Sequence, residues 1–257
     1  VHRELGPGYH ESIYEEAMRL TYSGYAEGLE LDGTHIYFAD GNTGLIVYEL
    51  VTPTDPQERT IVPVSFYAEW VEVSGTHACV SDSLGGIQIV NITTPDSAYI
   101  EGSYDTPGNA FYALPVGTIT YVADNGAGMR ILDTTQVDAI TELGSYDESY
   151  GDLLGIDFYS GYAVVTSYLE GLKVYDISNP AVPVLHGEAA LNGSTYDVTV
   201  RDGYAYVADL SRGLVIVDLA DPANPVEIGH SDPYTGSAVT LAGSYAYIAP
   251  NHEGIRI

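Results

Sequence analysis

Residues 204–218 read YAYVADLSRGLVIVD. Two apolar runs flank an Asp-x-x-x-Gly turn, the pattern of a β-hairpin whose strands each bury one face. A version of this stretch returns five more times. Its turn glycines are Gly44, Gly86, Gly128, Gly171, Gly213 and Gly254, at intervals of 42, 42, 43, 42 and 41 residues. Four residues before each glycine stand Asp40, Asp82, Asp124, Ser167, Asp209 and Pro250, so the turn keeps its length where its chemistry changes. A period in the low forties, filled with short β-rich runs, marks one four-stranded blade per repeat rather than a helical solenoid. The expected fold is all-β, a β-propeller of four-stranded antiparallel blades.

The fifth copy shows the order within a blade. Tyr196–Val200 (YDVTV) is the inner strand, Tyr204–Ala208 the second, Leu214–Leu219 the third and Val226–His230 the outer strand. Asp202-Gly203 signals a tight turn between the first two. The DPANP loop, Asp221–Pro225, joins the last two and keeps proline off the paired strands. The sixth copy reads only as far as GIRI, Gly254–Ile257, its third strand. The segment MRLTYSGYAEGLEL lines up in repeat position with EIGHSDPYTGSAVTL, so Met18–Tyr22 would supply the missing outer strand. Pairing the two ends of the chain in this way leaves no open edge and counts six blades.

The stretch GLVIVDLADPANPVEIG, Gly213–Gly229, is similar to the LVIVD-repeat propeller family and carries those letters as Leu214–Asp218. GIQIVNITTPDSAYIEGSY (Gly86–Tyr104) and GLKVYDISNPAVPVLHG (Gly171–Gly187) are weaker copies. The resemblance spans roughly residues 21–257. It implies a β-propeller, commonly secreted or at a cell surface, without implying one activity. GMRILDTTQVDAITELGSY lacks the usual prolines and GLIVYELVTPTDPQERTIV has a longer loop, departures that touch loop shape rather than fold.

Residues 1–17 form a non-repeat segment, followed by a six-repeat propeller over residues 18–257. From Ser12, SIYEEAMRL has helical spacing, with Ile13, Ala17 and Leu20 on one side. The opening resembles that of the nuclease-like family named for its G-x-x-E-x-x-Y motif, here Gly8, Glu11 and Tyr14. The acidic pair and E-x-K element that such a nuclease needs are missing, and the one lysine, Lys173, sits in a blade strand. No nuclease function is carried over. A fused domain, or sequence assigned with difficulty at this end, would account for the mismatch with the repeats. A chain opening on Val1 is expected to be processed or partial.

With 8 basic and 36 acidic residues the net charge is −28. That excludes nucleic acid and anionic membrane surfaces, which need a basic footprint. A halophile's solvated surface, a cation-binding surface and an acidic medium would each explain the acidity. The 23 tyrosines suit both strands and wet interfaces. Cys79 stands alone, which excludes an internal disulfide and a multi-Cys metal motif, and a small buried thiol is expected there. No apolar run is long enough to span a bilayer.

Propeller chemistry resides on loops at the channel mouth. The entry to each inner strand and the second-to-third hairpin turn share one face, and aligning the entries gives Glu27, Glu69, Tyr112, Asp152, Tyr196 and Ser237. Three carboxylates and two phenols would thus rim the channel as a binding site. Glu27, Glu69 and Asp152 are the candidate metal ligands, since converging hard oxygens suit Ca²⁺. Merely solvated carboxylates, or caps on strand ends, are the competing reading. Asp40, Asp82, Asp124 and Asp209 are expected to bond backbone N–H groups two or three residues on, a structural turn role. Asn91-Ile92-Thr93 and Asn192-Gly193-Ser194 are glycosylation sequons, so Asn91 and Asn192 are candidate glycan sites. H-E-x-x-H, G-x-S-x-G, P-loop and paired-Cys motifs are all missing.

The functional expectation is an exported or cell-surface scaffold without catalysis, binding protein or glycan partners or copies of itself in a layer, filament or adhesion role. A hydrolase or lactonase-like enzyme with a divalent cation at the channel mouth is the alternative.

Overall fold

The computed structural model describes residues 26–52, 55–147, 151–231 and 235–249. Each repeat folds as an antiparallel meander. The first sheet comprises β1 (Ala26–Asp32), β2 (His35–Asp40), β3 (Gly44–Thr52) and β4 (Asp55–Val62), and the second β5 (Trp70–Ser74), β6 (His77–Ser81), β7 (Ile87–Asn91) and β8 (Tyr99–Tyr104). The third holds β9 (Tyr112–Val116), β10 (Ile119–Ala123), β11 (Met129–Asp133) and β12 (Thr141–Tyr146). The fourth holds β13 (Leu153–Tyr159), β14 (Tyr162–Ser167), β15 (Gly171–Asp176) and β16 (Val184–Ala189), and the fifth β17 (Thr195–Arg201), β18 (Tyr204–Asp209), β19 (Gly213–Asp218) and β20 (Val226–Ser231). Neighbours in sequence are neighbours in every sheet.

The count of six four-stranded blades is corrected to five. The sixth copy contributes a two-stranded sheet, β21 (Ala238–Ala242) and β22 (Tyr245–Ala249). A blade needs a third and a fourth strand, and the segments expected to supply them, 254–257 and 18–22, lie outside the described residues. So do the helical segment and the G-x-x-E-x-x-Y stretch.

The strands divide between two compact units: residues up to Thr120 with Thr134–Thr141, and Tyr121–Asp133 with residues from Glu142 onward. The core of the first gathers Tyr37, Leu45, Val47, Val71, Val80 and Val90, all buried. That of the second gathers Val164, Leu172, Val174, Val207, Val215 and Val217. In β19 the LVIVD letters alternate, Val215 and Val217 buried and their neighbours partly so, which is why the run is apolar on both faces. Each fully buried Val or Leu contributes about 1.5–3 kcal/mol. Cys79 is buried in β6, where burial first and the charge of Glu72 second push its thiol above the usual range.

Turns and irregularities are as regular as the strands. Asp202 and Gly203 have φ of 52° and 84°, the left-handed pair of a hairpin turn. Four outer strands carry a β-bulge: Arg59, Glu101, His186 and Ile228 are each skipped in the ladder. Next to three of these bulges, and at the matching place in β12, stands a glycine. A β-carbon on Gly102 would collide with the carbonyl of Val137, and one on Gly144 or Gly187 with that of Pro180 or Pro222. The loop before each following outer strand therefore seats against that glycine. No helix among the described residues is long and apolar enough to cross a membrane.

Candidate functional site

The entry to each inner strand is tied to the hairpin turn of the preceding blade. Ala68 N–H donates to Gly41 (2.8 Å), Ala110 to Ser83 (2.9 Å) and Thr195 to Tyr168 (3.0 Å). Isolated bridges Gly41↔Ala68, Ser83↔Ala110 and Asn125↔Leu153 mark the same joint. The two loops expected to share one face do so at each of these joints.

At two joints the residue that follows is left out of the ladder. In β1 the register steps from Ala26↔Asp40 to Gly28↔Ala39, leaving Glu27 as the extra residue of a bulge. In β17 it steps from Thr195↔Asp209 to Asp197↔Ala208, which leaves Tyr196. Bulges re-aim a side chain out of the ladder. Counted from these joints, the equivalent positions are Glu27, Glu69, Phe111, Leu154, Tyr196 and Ser237. Two of the aligned residues therefore shift. Tyr112 falls one place later, buried at 9% exposure, and Asp152 falls before its joint, exposed. In the fourth copy a bulge after Leu153 adds residues that apolar alternation cannot reveal, and in the third the joint at Ala110 puts Phe111, not Tyr112, at the shared position. The set at one register position is two carboxylates, one phenol, two apolar side chains and a serine.

Within the first unit Glu27 and Glu69 are brought together. Tyr67 donates its O–H to Glu27 Oε1 at 2.6 Å. Burial first and the charge of Glu27 second push Glu69 up to about 7, against a hydrogen bond from Ser83 that opposes the rise. Asp152 belongs to the second unit. Among the described residues no three His, Cys, Asp or Glu side chains are grouped as metal ligands, so the Ca²⁺ site expected from Glu27, Glu69 and Asp152 has no assembled donor set there.

A second carboxylate pair lies deeper in the same unit. Glu72 Oε1 accepts from Trp70 Nε1 at 3.0 Å and from the Tyr112 hydroxyl at 2.7 Å, and the two rings stack with centroids 4.9 Å apart. Tyr112 is thus a ring packed inside the blades rather than a rim phenol. Burial, then Glu72 and Asp32, push Glu30 up to about 8.

The turn aspartates are all fully buried, and each is placed differently. Asp209 does what the sequence suggests, its Oδ1 accepting Ser211 N (2.8 Å) and Arg212 N (2.9 Å). Asp82 instead reaches back to the loop before its own blade, accepting Ser65, Phe66 and Tyr67 N–H groups at 2.9 Å each, with Gln88 Nε2 at 3.1 Å. Asp124 faces Arg130, Nε to Oδ2 3.7 Å. Asp40 has no hydrogen-bond partner at either oxygen among the described residues. The local-turn role is therefore corrected for Asp82, whose buried carboxylate accepts the N–H groups the fold delivers from another loop, and for Asp40, whose oxygens accept none among the described residues.

Of the sequons, Asn91 is engaged: Nδ2 donates to Glu101 Oε2 (2.9 Å) and Oδ1 accepts Thr93 N (3.0 Å). Asn192 is exposed on an open depression of about 600 Å³ that Leu169, Glu170, Glu188 and Leu191 also line. Phe66, Tyr67 and Leu84 were not singled out from the sequence. The repeated Tyr-Ala-Glu of 25–27 and 67–69 was the available signal for Tyr67.

The LVIVD-repeat model matches five times, at residues 23–62, 67–106, 116–148, 151–190 and 192–232, more than half of the chain. No curated relative matches in sequence. Among solved structures, the β-propeller domain of Myceliophteria thermophila Cps50 (Swd1) is 11% identical with a TM-score of 0.71, covering 91% of this chain and 83% of that one. A chain of the mitotic checkpoint complex is 8% identical at 0.72, covering 91% and 74%. The computationally designed Ika8 protein is 8% identical at 0.71, covering 91% and 70%. At such identities the likeness establishes the fold alone: a β-propeller with four-stranded antiparallel blades.

Proposed function

The chain belongs to the LVIVD-repeat family, and from that premise we propose that it is a non-catalytic binding scaffold, exported or held at a cell surface. Its blades present acidic, tyrosine-rich rims to protein or glycan partners, or to further copies of itself in a layer or filament. One observation carries the reading. Exposed Phe66 rides on a loop whose N–H groups are fixed by the buried Asp82, a rigid display that loses little freedom on binding. A screen of the purified protein against ester, lactone and glycoside substrates tests it. Turnover that disappears in a Glu27→Gln, Glu69→Gln double variant would sink the scaffold reading.

A second reading is a hydrolase at the same mouth. What favours it is Glu69, a carboxyl pushed up to about 7 beside Glu27, the pairing that acid–base chemistry uses near neutral pH. Metal analysis of protein purified without chelator separates its cation-dependent form, which requires a bound divalent ion and loss of turnover on chelation.

A further inference from the structure

The rim of the first unit puts apolar and anionic groups side by side. Phe66 is 52% exposed and Leu84 58% exposed. The Phe66 ring lies 3.0 Å from where a β-carbon on Gly85 would stand, so it sits on the hairpin turn that carries Leu84. One residue along from Phe66, the Tyr67 ring covers Gly41 and its hydroxyl holds Glu27. Glu69 stands within the field of Glu27 and bonds Ser83, the residue before Leu84. Two large exposed side chains, two carboxylates and a phenol thus converge from one loop, two strand entries and one hairpin turn. No ion pair among the described residues claims Glu27 or Glu69.

We propose that this rim docks a protein segment carrying a Lys or Arg side chain beside an apolar one, the cation on Glu27 and Glu69 and the apolar group on Phe66 and Leu84. The proposal rests on the binding-scaffold reading and names its partner. Charge selects the occupant. With 36 acidic and 8 basic residues the chain repels an anionic segment at long range and steers a cationic one inward. A neutral apolar segment would satisfy Phe66 and Leu84 but leave the carboxylates desolvated without a partner, which is unfavourable. A cation without an apolar neighbour would leave the phenyl and leucyl faces in water.

The test uses capped, fluorescein-labelled decapeptides with a central Arg flanked by Leu and Phe. One matched peptide has Gln for Arg and another has Ser for both flanks. Anisotropy gives affinity, and the single tryptophan, Trp70, next in sequence to Glu69, reports occupancy by its emission. At low salt the Arg peptide binds at least about tenfold more tightly than the Gln peptide, and the gap closes as salt screens the charges. Phe66→Ser with Leu84→Ser weakens both peptides. Glu27→Gln with Glu69→Gln removes the gap between them and leaves the apolar contribution. Leu84→Asn alone, on an exposed turn, weakens the Arg peptide by at least about threefold and guards against a double variant that misfolds. Equal affinity for the Arg and Gln peptides overturns the proposal, as does binding that no rim variant alters. In that last case the scaffold reading stands and the rim is excluded as its site, whereas turnover abolished by the Gln double variant removes the scaffold reading itself.

Discussion

The carbonyl oxygen of Pro222 occupies the place that a β-carbon on Gly187 would take. The fifth blade's loop is thereby seated on the outer strand of the fourth, backbone against backbone, with no side chain able to yield. Gly187→Ala forces one strand or the loop to move, an overpacking cost of about 1–3 kcal/mol. Gly229 holds the matching place one blade on, where a β-carbon would meet nothing within 4 Å among the described residues. Gly229→Ala is expected to stay within about 0.5 kcal/mol of the parent. Thermal denaturation of the two variants side by side checks this, and equal losses would show that the seat does not matter.

The blades were legible because their signal is local. A hairpin turn of constant length, repeated at near-equal intervals, needs no knowledge of neighbours, and the fifth copy's strand order came through to within a residue or two. The glycine seats were in plain view as Gly102, Gly144 and Gly187, yet their cause lies in a carbonyl some 35 residues away in sequence. The site was half legible for a similar reason. Glu27 and Glu69 stand where the alignment put them, but Tyr112 lies one place past the shared position and Asp152 before its joint, offsets that the apolar letters do not mark. Phe66 and Leu84 are ordinary apolar letters in the sequence, and only the folded turn exposes them together.

Asp82 gives a sharper stability prediction than its turn position would. Its carboxylate satisfies three buried or half-buried N–H groups of Ser65, Phe66 and Tyr67. Asp82→Ala strands all three, and hydrogen bonds to a charged acceptor contribute about 1.5–3 kcal/mol each before relaxation. A loss of at least about 3 kcal/mol is expected. Amide hydrogen exchange at Phe66 and Tyr67 should speed up beyond the global effect, because the loop loses its anchor. Unchanged protection at those two amides would refute the anchoring role.

The two sequons are expected to behave differently. The Asn91 amide is held between Glu101 and the Thr93 N–H at the end of β7, whereas Asn192 is exposed in the loop before β17. A glycosyltransferase needs the amide nitrogen free. Produced in a secreting host that glycosylates, the protein should gain one glycan, at Asn192. Intact mass of the parent, Asn192→Gln and Asn91→Gln forms decides it; a glycan that survives Asn192→Gln would contradict the geometry.

Two raised carboxyls fix the sign of the pH dependence. Burial first, then Glu72 and Asp32, moves Glu30 from 4.5 to about 8, and burial first, then Glu27, moves Glu69 from 4.5 to about 7. Between those values the folded chain holds protons that the unfolded chain has already released, so stability falls as pH rises from about 4.5 to about 8. Glu227, lowered chiefly by its hydrogen bond from Arg212, and Glu101, lowered chiefly by His77, act in the opposite sense. Their contributions are present above the ordinary carboxyl range and fade only as pH drops through their lowered values. The maximum is therefore expected in mild acid. Glu30→Gln keeps the shape and cannot ionise, so it should match the parent near pH 4.5 and exceed it at pH 8 by on the order of 2 kcal/mol, after allowing for screening. Urea denaturation at pH 4.5, 6 and 8 measures it. Parallel pH profiles for parent and variant would mean that Glu30 ionises freely and that the Glu30–Glu72 pair is wetter than its burial indicates.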